Sequence, residues 1–175
     1  MTIIDFENPK SCFVYFNPGR ISEEKSKVAI VLTKSKDSKA IIDKKILYID
    51  NDDRGFNQFS VGLKALYCAL TYAKELRATY KTINIGIQNQ VIFNWISAKE
   101  ANEAYSDDFD CCIDFLEELS SGSTKIVLHL ISKEENIAKK FSKPNANDKY
   151  QVEHKELVYT ASNSIQNKVV SIKSR

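Results

Sequence analysis

The stretch Phe59-Ser60-Val61-Gly62-Leu63-Lys64-Ala65-Leu66-Tyr67-Cys68-Ala69-Leu70, continued by Ala73-Lys74-Glu75-Leu76, decides how this chain is read. Phe59, Leu63, Leu66, Leu70 and Ala73 recur every three or four residues, the period that places apolar side chains on one face of an α-helix. Asn57 can cap its start, and Lys74, Glu75 and Arg77 gather at its end. The spacing predicts a helix over roughly Gln58 to Leu76.

Upstream the period is shorter. Cys12-Phe13-Val14-Tyr15-Phe16 is an apolar, aromatic run followed by the turn signal Asn17-Pro18-Gly19, and it predicts a first strand. Lys27-Val28-Ala29-Ile30-Val31-Leu32-Thr33 predicts a second. Lys45-Ile46-Leu47-Tyr48-Ile49-Asp50 predicts a third, closed by Asn51-Asp52-Asp53-Arg54-Gly55. Connections this short favour an antiparallel meander.

Downstream, Thr82-Ile83-Asn84-Ile85-Gly86-Ile87 alternates polar and apolar residues, a fourth strand. Val91-Ile92-Phe93-Asn94-Trp95-Ile96 suits a short helix, although its apolar density fits a strand as well. Phe109, Ile113, Leu116 and Leu119 mark another helix, ended by Ser120-Ser121-Gly122. Thr124 to Ile131 forms a fifth strand. Ser132 to Phe141 has helical character, Ser142 to Lys149 is a loop around Pro144, and Val152 to Val170 suits a last helix. Three strands, a helix, a strand, helices and a strand make an α/β arrangement with a mixed sheet.

Composition narrows the class without naming a role. The 175 residues fit a single domain, and the 43% apolar fraction can supply its core. A formal charge of +2 is a weak footprint for a nucleic-acid binder, so any such surface has to be local. Cys12, Cys68, Cys111 and Cys112 lack a C-x-x-C spacing and read as reduced thiols, two of them inside apolar runs. The first residues carry acids too early for a signal peptide, and no run approaches a membrane span, so cytoplasmic residence is the expectation.

This element order resembles the ribonuclease H-like family over roughly residues 12–131. The helix from Phe59 looks like that family's central helix. Ile83 to Ile96 looks like its fourth strand and following helix, with the Asn94-Trp95 pair. Asn17-Pro18-Gly19 takes the place of its Asp-Gly-Ser turn. The resemblance implies a five-stranded sheet, three antiparallel strands then two parallel, flanked by helices. It implies one domain over 1–175 whose segment 132–175 matches poorly, as a C-terminal extension or helix.

The resemblance also implies four acidic positions, and this chain departs from each. Asn17 stands where an aspartate closes the first strand, Gly62 where the central helix carries a glutamate, and Gln88 where an aspartate ends the fourth strand. A fourth acid would fall near Val158 or Tyr159. Two-metal phosphodiester hydrolysis needs carboxylates to hold paired Mg²⁺ ions. Two unit charges at 4 Å attract by about 4 kcal/mol at an effective dielectric of 20. A weak metal site is worth only about 4–8 kcal/mol in all. Losing several carboxylates therefore removes more than such a site has. No catalytic residue, metal ligand or cofactor is expected.

Other constellations have plainer readings. Asp50, Asp52 and Asp53 could form a relocated cation site and restore an active nuclease using Mg²⁺. However, the twelfth residue from Asp50 is Val61, not the glutamate of a calcium loop, and solvated turn acids are the plainer reading. His129 suits a hydrogen-bonded sheet position, and His154, near Glu153 and Glu156, a helix surface. Trp95 could stack on bases, with core packing as its plainer role. Lys133, Lys139, Lys140, Lys143 and Lys149 form a loose basic run, interrupted by Glu134 and Glu135, that could touch phosphates. The expectation is an inactive ribonuclease H-like module that binds or scaffolds, with RNA, DNA or another protein as partner. The alternatives are the relocated-carboxylate nuclease and a protein-interaction module with no nucleic-acid role.

Overall fold

The structure is a computed structural model that describes residues 10–53 and 55–148. The last helix, the Val158 and Tyr159 positions, His154, Lys149 and the N-terminal segment lie outside the described residues.

Five strands form one sheet: β1 (Ser11–Arg20), β2 (Lys25–Thr33), β3 (Ile41–Asp50), β4 (Thr82–Ile87) and β5 (Lys125–Leu130), in the order β3-β2-β1-β4-β5. β1 pairs antiparallel with β2, and β2 with β3. β4 lies parallel to both β1 and β5. The mixed sheet is the one expected from the sequence.

Alternation along the strands sorts side chains onto two faces. Cys12, Val14 and Phe16 of β1 and Val28, Ile30 and Leu32 of β2 face the main core. Over them lie α1 (Gln58–Leu76), α2 (Gln90–Ala98) and α3 (Ser106–Ser120). α1 has the predicted limits. The Asn57 side chain accepts from the Phe59 and Ser60 amides, which lack partners inside the helix. Asn89 caps α2 in the same way, through Val91 and Ile92, and settles the Val91–Ile96 ambiguity as helix.

Phe13, Tyr15, Ala29 and Val31 face the other side, where Ile131 and Ala138 cover them. The covering chain from Ser132 to Asp148 acts as a strap. Its regular piece is a 3₁₀ turn, Ile137–Phe141. A buried charge network fastens its far end. Lys27 Nζ meets Asp148 Oδ2 at 3.0 Å, with both side chains only 3% exposed. Tyr48 donates its hydroxyl to Asp148 Oδ1 at 3.1 Å, and the Asn145 amide donates to Oδ2.

Two expectations need correction. Asn17-Pro18-Gly19 does not end the first strand. β1 runs on to Arg20, with Asn17 opposite Ala29, Pro18 opposite Val28 and Gly19 opposite Lys27. Proline is tolerated there because β4 pairs with β1 only as far as Tyr15, leaving that edge of β1 without a strand partner among the described residues. Gly19 has its own reason: a Cβ built on it would lie 1.8 Å from the Ser142 carbonyl oxygen, so the strap crosses against bare backbone. β3 also begins earlier than predicted, at Ile41, because the hydrogen-bonded ladder with β2 overrides the polar Asp43-Lys44-Lys45 stretch.

A candidate ligand-binding cavity

The ends of β1 and β4 and the first turns of α1 and α2 enclose a cavity of about 500 Å³. Asn17, Gly62 and Gln88 all line it. The three positions that the resemblance sets against acids are therefore neighbours in space.

The lining is amide and apolar. Gln58, Asn89 and Gln90 add further amides, and Phe16, Phe56 and Phe59 add aromatic surface. Among the described residues no carboxylate lines the cavity, and no three His, Cys, Asp or Glu side chains lie where they could hold a metal ion. Hard divalent cations take oxygen ligands, with carboxylates supplying the charge, and this set offers amide oxygens alone. The described residues do not fit a pair of Mg²⁺ ions.

Two of the amides are tied to the strap. Asn17 Nδ2 donates to Ser142 Oγ at 2.7 Å. Ser142 Oγ in turn donates to the Lys139 carbonyl. Asn136 Oδ1 accepts from the Ala138 amide, which turns its Nδ2 toward the Phe16 carbonyl and Gln88 Oε1, each at 3.0 Å. The orientation of Gln88 follows: its carbonyl is taken and its Nε2 is left over. Asn136 and Ser142 were missed in the sequence, because nothing in a polar loop announces a partner dozens of residues away or more.

Gly62 also has a packing role. A Cβ there would sit 2.6 Å from Ile92 Cδ1, so a side chain at this position requires the end of Ile92 to move.

The remaining candidates fall elsewhere. Trp95 is half-buried, stacked on Tyr105 with ring centroids 5.6 Å apart and tilted against Phe59 at the same distance. Asp50 forms an ion pair with Lys25, Asp52 accepts from Ser60 Oγ at 2.8 Å, and Asp53 is exposed. With Glu23 and Glu24 these acids border a cleft apart from the cavity, and among the described residues no three of them lie where they could hold a metal ion. His129 sits on the sheet with Nε2 2.8 Å from Asn84 Oδ1. Burial, then the Lys36 charge, hold it below the ordinary histidine value.

Lys140 and Lys143 are exposed, and Lys139 half-exposed, on the strap. Desolvation and then the ammonium groups of Lys133 and Lys143 hold Lys139 below the usual lysine value. Glu134 opposes them, and Lys140 reaches over the Phe141 ring, 5.0 Å from its centroid. Burial pushes the thiols of Cys12 and Cys68 up to about 12, so neither is poised as a nucleophile.

The fold has counterparts among solved structures. The chain is similar to ribonuclease H1 from the halophilic archaeon Halobacterium salinarum, with a TM-score of 0.59 at 16% identity over 75% of this chain and 93% of that one. The chain has a ribonuclease H-like fold. LC11 ribonuclease H1, solved with an RNA/DNA hybrid, gives a TM-score of 0.56 at 15% identity over 74% and 91% of the two chains. The N-terminal ribonuclease H domain of rv2228c from Mycobacterium tuberculosis gives 0.56 at 12% identity over 75% and 90%. No family model and no curated protein matches the sequence. At these identities the likeness establishes the ribonuclease H-like layout and leaves the role to the residues themselves.

Proposed function

We propose that this ribonuclease H-like domain is catalytically silent and works by binding nucleic acid. The carboxylate-free cavity carries the reading. Where metal-dependent phosphodiester cleavage needs anionic oxygens, the chain presents the amides of Asn17 and Gln88 and the bare backbone of Gly62. Lys133 and Lys143, exposed on the strap, and half-exposed Lys139 between them in sequence support a phosphate-binding role beside it. A local cluster of this kind can hold phosphates although the whole chain is close to neutral.

The test is a labelled RNA–DNA hybrid incubated with purified protein across a Mg²⁺ and Mn²⁺ series. The expected result is no cleavage at any metal concentration, with binding that weakens steeply as salt rises. Metal-dependent cleavage would overturn the silent reading. Absence of binding to hybrid, duplex and single strand alike would overturn the nucleic-acid reading.

A further inference from the structure

We infer that the cavity lined by Asn17, Gln88 and Phe59 is a recognition pocket for one unpaired nucleobase. This inference rests on the nucleic-acid reading above and deepens it, since it assigns the bound strand's chemistry to a particular place.

The volume is suitable. Small-ligand sites commonly enclose about 300–1,000 Å³, and this one encloses about 500 Å³. The charge is equally informative. With no acid or base in the described lining, a charged group entering it would lose water without gaining a counter-ion. A neutral ligand avoids that cost.

The hydrogen-bonding inventory then selects among neutral ligands. Gln88 Oε1 is held by Asn136, so Gln88 offers the donor Nε2. Asn17 Nδ2 is spent on Ser142 and the Pro18 carbonyl, so Asn17 offers the acceptor Oδ1. Asn89 Oδ1 caps α2, so Asn89 offers a donor. The strap and the helix cap thus fix which end of each amide is available. A mixed set of donors and acceptors beside the rings of Phe16, Phe56 and Phe59 matches a flat heteroaromatic ring with polar edges and apolar faces. A hydrocarbon would leave the amides unpaired.

Continuity with the strap adds the last element. Ser142, which holds Asn17, is followed directly by Lys143, a member of the lysine cluster. A base in the cavity and its backbone phosphates at the lysines would engage adjoining surfaces. The base has to be unpaired, because a paired base keeps its edge in the duplex.

The test compares three probes of equal length on the full chain: a single-stranded deoxyadenylate oligomer, an abasic oligomer of the same charge, and a duplex. The expected result is about tenfold tighter binding of the base-bearing single strand than of the abasic one, with the duplex resembling the abasic probe. Gln88→Met, which keeps the side chain's length and removes its amide, should erase that excess. Equal, salt-sensitive binding of base-bearing and abasic strands overturns the pocket and leaves the nucleic-acid reading standing. An excess that survives Gln88→Met also overturns it. No binding of any probe overturns both.

Discussion

Asn17 and Ser142 are joined by a hydrogen bond of 2.7 Å between residues 125 positions apart. Asn17 is the donor of that bond, and it holds the strap against the end of β1. The amide is therefore integrated into the packing, and exchanging it for an acid has two consequences.

Asn17→Asp combined with Gln88→Asp should not produce magnesium-dependent cleavage of a hybrid. Gly62 still contributes no oxygen, so the third position stays without a ligand. The double variant should also be less stable, by about 1 kcal/mol for each strap hydrogen bond removed. A urea titration reads the stability and a gel assay the cleavage. Hybrid cleavage by the double variant would contradict the account of Gly62.

Asp148→Ala leaves Lys27 as a buried, unpaired cation and removes the acceptor for Tyr48. Breaking one side of a buried pair costs about 3–5 kcal/mol. The expected outcome is a large fall in the urea midpoint, partly recovered when Lys27→Met is added. A neutral result for the single variant would mean that the strap end does not depend on this ion pair.

Stability should fall as pH drops below the ordinary histidine range. His129 has a folded pKa below its unfolded 6.5, so the unfolded chain binds the proton first and gains from it. Above 6.5 both states are neutral and the effect vanishes. As pH falls through the depressed value the loss becomes complete. Glu135, held at about 2 chiefly by its hydrogen bond with Lys36, titrates well outside this window. Thermal melts between pH 7.5 and 5 should show the slope, and His129→Gln should flatten it.

Replacing Lys133, Lys139 and Lys143 together by alanine should weaken binding of every single strand alike. On a plot of log affinity against log salt, the slope should become shallower by about 0.7 for each phosphate no longer neutralised. Isothermal or anisotropy titrations at several salt concentrations measure it. An unchanged slope would place the phosphate-binding groups elsewhere.

The layout was legible because it is written in local patterns. Phe59 to Ala73 shows its helical period without help, and Asn57 announces the cap that the structure confirms. Thr82-Ile83-Asn84-Ile85-Gly86-Ile87 alternates plainly and became β4 with those limits. Asn17-Pro18-Gly19 misled, because turn chemistry is a local preference and the β2 ladder is a tertiary one. The three neutral positions were legible only by resemblance. Their dependence on Asn136 and Ser142 was not, since those hydrogen bonds join segments that share no pattern in the sequence.

The sheet order has a kinetic consequence. β1, β2 and β3 are joined by short turns and can assemble from neighbours in the chain, whereas Ser11 meets Thr82 only after α1 has crossed over the sheet. Contacts that close long loops form late. The cavity needs β1 and β4 side by side, so it comes into being near the end of folding. Until then the central strand shows an unprotected edge to other chains, and aggregation during refolding should depend on how quickly β4 arrives.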